Sequence, residues 1–225
     1  MLLRRSYEKE IMDDFSIADE RIDEALKELK IINELLGGNS VSNQGIKLLI
    51  NETNHEKLTV LDIGAGNSDI LLRLKNQNTS FEIFSVDINK RCCFNTKQSH
   101  PSVRIICSDV FNLPFNRIKF DIVHLSLFLH HFNEEQIKDI LIKVIQYSEK
   151  GIIINDLRRS VFALAGIKIL TSIFSHSRMV KHDGPLSVRR GFVKKELVKI
   201  LDAMGIKNYL IKRKWAFRWL VVIKV

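Results

Sequence analysis

LTVLDIGAGNSD, residues 58–69, is an apolar run that breaks on glycine. Leu58, Val60, Leu61 and Ile63 are enough for a buried strand. Asp62, Gly64 and Gly66 then mark a tight turn, and Asp69-Ile70-Leu71-Leu72 opens a helical pattern. Strand, glycine turn and helix make a nucleotide-binding corner, in which glycine lets the backbone approach a ligand that a Cβ would strike. Asp62, two residues before the first glycine, sets this corner apart from a dinucleotide fingerprint. The missing third glycine at position 69 does the same.

Outward from this corner the chain alternates between strand and helix. Strands are predicted over 81–86 ending at Asp87, over 103–107 before Ser108-Asp109, over 120–125 before Ser126, and over 151–154 before Asn155-Asp156. Helices are predicted over 90–98 and after Asn133, where Gln136 completes a capping-box spacing. Such alternation implies a mostly parallel sheet, with the ligand at the carboxyl ends of its strands. Asp62, Asp87, Asp109, Ser126 and Asp156 all fall at or near those ends.

Upstream, Ile22, Leu26, Leu29, Ile32 and Leu36 recur at helical steps, predicting a helix over 6–36 that Gly37-Gly38 ends. A second short helix is expected over 43–51. Residues 1–51 therefore read as an N-terminal helical extension to a ligand-binding domain spanning 52–225. Residues 157–192 interrupt the alternation with a lipophilic segment, 161–174, and a polar run, 175–190, which together suggest a helical cover. A helix over 193–204 and two strands, 206–211 and 217–223 separated by Lys212-Arg213-Lys214, complete the sheet.

The chain has 225 residues, 45% of them apolar, so it can bury a substantial core and is not disordered. Residues 1–30 carry a net charge of −3, residues 31–155 are neutral, and residues 156–225 carry +12. That basic third suggests an anionic partner or a membrane surface. The N-terminus has no secretory apolar region, so Cys92, Cys93 and Cys107 read as reduced thiols and the expected location is cytoplasmic. The 14-residue segment 161–174 is too short to span a bilayer. No histidine or cysteine cluster completes a metal site in the sequence, and none is expected.

An acidic residue followed by G-x-G resembles motif I of the class I S-adenosylmethionine (SAM) dependent methyltransferases, with Ser68 where that family usually has a third glycine. The resemblance implies a seven-stranded, mostly parallel, Rossmann-like α/β sheet. It implies that SAM is the cofactor and S-adenosylhomocysteine (SAH) the product. Carried over residue by residue, it implies a cofactor site of Asp62, Gly64, Ala65, Gly66, Asp69, Asp87, Ile88, Ser108, Asp109, Val110, Leu125 and Ser126. In that site Asp87 accepts from the ribose hydroxyls, Asp109 meets the adenine amino group with Val110 beside the ring, and Leu125 and Ser126 border the sulfonium. Asp62 supports the glycine loop or the methionine amino group.

A narrower resemblance rests on Arg5-Ser6, Glu10, Met12-Asp13, Asn33 with Leu36-Gly37-Gly38, Asn155-Asp156-Leu157-Arg158-Arg159 and the run from His182-Asp183-Gly184 to Arg189-Arg190. These look like a bacterial methyltransferase subgroup encoded beside type III polyketide synthases and flavin-dependent oxidoreductases. That likeness implies secondary metabolism and O-methylation of a small lipophilic phenol or quinol, with segment 161–174 covering a greasy substrate.

Methyl transfer from a sulfonium is an in-line displacement that gains most from alignment and a dry site. A phenol also benefits from a base. His182, which Asp183 could hold in a useful tautomer, is the first candidate, His131 the second and His130 the third. Arg158, Arg159, Arg189 and Arg190 could neutralise an acidic substrate. Two other readings compete. An RNA or protein methyltransferase would use the basic third, but no amino-methylation motif follows the fourth strand and no RNA module is recognisable, so nucleic acid is not the expected partner. A non-catalytic SAM-fold binding protein would keep the glycine corner alone.

Overall fold

The computed structural model describes residues 4–17, 19–50, 56–67 and 79–225. The helical pattern opening at Asp69 lies outside the described residues. The predicted strands are present as β1 (Glu56–Ile63), β2 (Thr79–Asp87), β3 (Arg104–Cys107), β4 (Phe120–Ser126), β5 (Ser148–Leu157), β6 (Tyr209–Lys214) and β7 (Arg218–Lys224). They form one sheet in the order β3-β2-β1-β4-β5-β7-β6. The first five run parallel, and β7 is antiparallel to both of its neighbours. Strand order reverses between β1 and β4, which opens a crevice at their carboxyl ends.

Seven α-helices are described: α1 (Glu20–Leu35), α2 (Gly38–Leu49), α3 (Lys90–Ser99), α4 (Glu134–Gln146), α5 (Val161–Phe174), α6 (Arg178–Arg190) and α7 (Lys194–Ala203). Successive strand residues face opposite sides of the sheet. Leu61, Val123 and Ile152 accordingly pack with Ile140 of α4 and Ile200 of α7, while Val60, Ile122 and Ile153 pack with Val41 and Ile46 of α2. This two-sided burial explains why the central strands read as continuous apolar runs. A third cluster joins Ile22 and Ala25 of α1 to Cys92 of α3 and to Met179 and Val180 of α6, so the first helix is held at the rim of the crevice.

Three boundaries differ from the sequence expectation. The first helix begins at Glu20, not residue 6, because Asp14 and Asp19 turn their side chains back onto the amides of Ser16 and Arg21. Only a short 3-10 turn, Ile11–Asp13, precedes it. Helix α2 starts at Gly38 rather than 43. Gly-Asn-Ser is weak helix-forming sequence, and packing on the sheet supplies what propensity lacks: a Cβ on Gly45 would stand 2.6 Å from Ile153. The helical cover expected over 157–192 is present as α5 and α6, and the inner face of α6 buries Met179, Val180 and Leu186. Lys212-Arg213-Lys214 lies within β6, not between strands. It forms the solvent edge of the sheet, where basic side chains discourage further pairing.

Candidate active site

The glycine corner closes through backbone bonds. Gly64 and Ala65 amides donate to the Val86 carbonyl at 2.9 and 3.2 Å. The Gly66 amide donates to Asp87 Oδ2 at 2.8 Å, and Asp87 Oδ1 accepts from the Asn89 amide at 2.8 Å. Burial pushes the Asp87 carboxyl above its ordinary value, and these two amides oppose that rise. Gly64 and Gly66 have φ of 66° and 54°, a region glycine enters without strain. The sequence argument that a Cβ would strike the ligand needs correction at Gly64. There the Cβ would lie 2.1 Å from the ring of Phe128, which leans over the turn in edge contact with Phe132. Leu127, just before it, holds φ at 51°, a strained value at the end of β4.

The remaining predicted cofactor residues divide into two sets. Asp109 caps a 3-10 turn by accepting from the Phe111 amide at 2.9 Å, and the Ser108 hydroxyl donates to the Asn112 carbonyl at 2.9 Å. Val110 and Leu125 are buried in the main core, whereas Ile88 is exposed. Ser126 is different. Its hydroxyl is buried at the carboxyl end of β4 without a hydrogen-bond partner, and so is Asn67 Oδ1 just past the glycine corner. Orphaned buried polar atoms are rare, and a ligand bearing an ammonium group and hydroxyls would satisfy these two. Asp69 lies outside the described residues.

Asp62 is fully occupied in another way. Its Oδ1 accepts from His124 Nδ1 at 2.7 Å. The Nε2 of that imidazole accepts from the Ser42 hydroxyl at 2.8 Å, and Ser42 Oγ accepts from Asn155 Nδ2 at 2.9 Å. Arg218, itself buried, donates to Asn155 Oδ1 at 3.3 Å and to Asn33 Oδ1 at 2.8 Å. Burial lowers the Arg218 pKa to about 10. This relay runs under the sheet from the glycine corner to α1, so Asp62 supports the corner from below.

The histidine geometry reorders the candidates. His182 pairs with Asp183 at 2.7 Å as the sequence suggests, but its side chain is 54% exposed on α6. Both Asp183 oxygens accept backbone amides, from Ile11 at 2.9 Å and Met12 at 3.0 Å. Asp183 thus clasps the N-terminal turn. His182→Ala is expected to leave the methylation rate within about two-fold of wild type, because a solvent-exposed side chain lacks the desolvated contact that general-base catalysis uses. A steady-state assay checks this, and a loss above ten-fold would restore His182 to the reaction.

His130 and His131 occupy a 3-10 turn directly after β4, with ring centroids 4.2 Å apart. His130 Nδ1 donates to Asp156 Oδ1 at 2.7 Å, and His131 Nδ1 donates to Asp13 Oδ1 at 2.7 Å. Each carboxylate favours the tautomer with Nε2 unprotonated, and His130 Nε2 lies 3.6 Å from Glu10 Oε1. Burial would raise the Asp13 and Asp156 carboxyls, but the neighbouring histidines hold both below their ordinary values. Arg190 binds the turn from behind, donating to the carbonyls of His130 and His131 and to Asp13 Oδ2 at 2.7 Å. Arg159 is committed to Glu196 and the Gly191 carbonyl, and Arg189 to Glu8. These arginines tie the protein together.

Glu10, His130 and His131 bring three potential ligand atoms within 4.8 Å, which corrects the expectation that no such set assembles. Glu10 is 120 residues away in sequence, so spacing could not reveal it. Burial raises the Glu10 carboxyl, and the Arg190 guanidinium 3.9 Å away already supplies positive charge there. Glu10 and Asp13 belong to the subgroup pattern read from the sequence, which gave them no task, whereas Arg190, read there as a counter-charge for an acidic substrate, holds the histidine turn instead. Phe128 carried no signal at all.

Residues 60–151 match the family model described as a methyltransferase domain. No curated protein matches the chain. Among solved structures it is similar to the plantazolicin methyltransferase BpumL in complex with a desmethylplantazolicin analogue and SAH, at 14% identity and TM-score 0.67, covering 93% of this chain and 95% of that one. It is similar to the Synechocystis magnesium protoporphyrin IX methyltransferase with bound SAH, at 16% identity and TM-score 0.56, covering 84% of each chain. Human N-acetylserotonin methyltransferase in complex with SAM gives 13% identity and TM-score 0.66, covering 98% of this chain and 62% of that one. At these identities the likeness is one of fold. The match over residues 60–151 and the sheet order support a SAM-dependent methyltransferase fold. SAM is the cofactor of that class, and the crevice residues fit it.

Proposed function

We propose that this protein methylates the oxygen of a small lipophilic phenol or quinol, with His131 as the base. The observation that carries the reading is the His131–Asp13 pair, set in the turn that follows the carboxyl end of β4. Asp87 holds the ribose hydroxyls, Asp109 the adenine edge, and Asn67 and Ser126 the polar end of the cofactor. SAM supplies an electrophilic methyl on a sulfonium. With SAM bound as methyl donor, His131 Nε2 would accept the phenolic proton as the oxygen is methylated. Asp13 keeps the imidazole in the accepting tautomer and stabilises the imidazolium. Segment 157–192 acts as the cover, residues 1–51 as an N-terminal extension, and the cytoplasm is the working location. The +12 charge of the last third favours a second reading, an RNA or protein acceptor. An acceptor panel of phenols, quinols and RNA separates the two.

Calorimetric titration with SAM tests the cofactor assignment. Asp87→Ala is expected to weaken binding by about 1–3 kcal/mol, the loss of charge-assisted hydrogen bonds. Because burial raises the Asp87 carboxyl, affinity should be full above that raised pKa. It should fall as pH drops through it, at a higher pH than a carboxyl of ordinary pKa near 4 would require. Asp87→Asn should flatten this dependence. Unchanged affinity in folded Asp87→Ala would remove the ribose role.

A further inference from the structure

We propose that α5 and the adjoining end of α1 seat the protein on an anionic lipid surface. One face of α5 is packed: Ala163 and Thr171 are buried, and Ile167 and Thr171 lie against Gly184 of α6, where a Cβ would stand 3.3 Å from each. The other face is open. Phe162 is 79% exposed and Phe174 71%, with Ile169 and Ile173 also exposed. Positions 162, 169 and 173 recur at helical spacing, so they form one continuous stripe rather than scattered apolar residues. Glu28 of α1 accepts from the amides of His176 and Ser177 at 2.7 and 3.0 Å, which docks α1 at the end of this stripe. Ile31 and Leu35, three and seven residues further on and therefore on the same face of α1, are exposed as well.

Charge decides the occupant. Residues 157–195 hold nine basic side chains and one acidic one, Asp183, and that carboxylate is buried. Lys168 on α5 and Arg178 and Lys181 on α6 are exposed. On α5 and α6 an apolar stripe is bordered by basic groups with no exposed acid on either helix, the pattern of a helix lying in a membrane interface, while Glu24 is exposed one turn before Glu28 on α1. A second copy of the chain would bring the same basic surface against itself, which repels. No described helix is long and apolar enough to cross a membrane, and α5 at 14 residues would lie in the interfacial plane. Each basic residue near an anionic surface adds about five-fold to partitioning. This inference deepens the proposed function only in placing the enzyme where a lipophilic acceptor partitions, and the docking itself does not depend on which oxygen is methylated.

Co-sedimentation of the full chain with phosphatidylcholine vesicles, and with vesicles of equal parts phosphatidylcholine and phosphatidylglycerol, tests it. Binding at least ten-fold tighter to the anionic vesicles, weakened by salt, is expected. Phe162→Ser/Ile173→Ser should lower that binding ten-fold or more while SAM titration of the same variant stays unchanged, which keeps the outcome separate from the cofactor reading. Equal binding to both vesicles, or binding to neither, overturns the proposal. So does a dimer in solution that the same double variant disperses, because the stripe would then be a protein interface.

Discussion

Alanine at Gly64 is expected to cost about 2–6 kcal/mol of stability and most of the SAM affinity. Two terms combine. A non-glycine residue held at φ 66° costs about 1–3 kcal/mol in backbone strain. The new Cβ must also displace the Phe128 ring from 2.1 Å, and overpacking of that kind costs about 1–3 kcal/mol. The two terms can be separated. Gly64→Ala/Phe128→Ala should recover the packing share and leave the backbone share, a coupling that urea denaturation of the four proteins measures. If Gly64→Ala alone is as stable as wild type, Phe128 does not occupy the turn in solution.

His131→Ala is expected to lower kcat by about 10²- to 10⁴-fold, the range for loss of a positioned general base. SAM affinity should change little, because His131 acts on the acceptor side of the crevice. A purely structural role would instead lower stability and leave the form of the pH profile intact. The profile is therefore the decisive readout: the acid limb of kcat/KM should be displaced or lost in His131→Ala. Asp13→Asn should produce a smaller drop in kcat, since Arg190 and the Glu10 amide hold the carbonyl oxygen, which turns the NH2 toward Nδ1 and disfavours the tautomer with Nε2 unprotonated. A His131→Ala enzyme that keeps its rate would move the proton transfer to the His130–Asp156 pair or dispense with a base.

The sheet was readable because local rules and tertiary structure agree over most of the chain. Periodicity placed β1 through β5, and the spacing of Asn133 and Gln136 forecast the capping box of α4, where both reciprocal bonds form. Local rules failed where packing overrode them. Gly38-Asn39-Ser40 is weak helix-forming sequence, yet α2 begins there because it packs on the sheet. Lys212-Arg213-Lys214 looked like a turn because an edge strand tolerates charge.

The candidate site was half legible for a related reason. Asp87, Gly66 and Ser126 lie at strand ends, which sequence order reveals. The pairing of His131 with Asp13 joins residues 118 apart, and no spacing rule encodes that contact. His182 and Asp183 were adjacent, so they drew the assignment, while the fold spent Asp183 on the N-terminal turn.

The bond between Arg218 and Asn33 has a consequence for how the molecule is made. Asn33 lies in the first helix and Arg218 in the last strand, 185 residues later. At a synthesis rate of about 5–20 residues per second, the first helix waits roughly 10–40 s for its partner. Until β7 leaves the ribosome, the edge of β5 is unpaired and the polar relay ends at an unmet Asn155. A nascent chain released before that strand would carry a bare sheet edge, which invites aggregation and proteolysis. Premature termination just before Arg218 should therefore be as damaging to the yield of folded protein as termination far upstream of it.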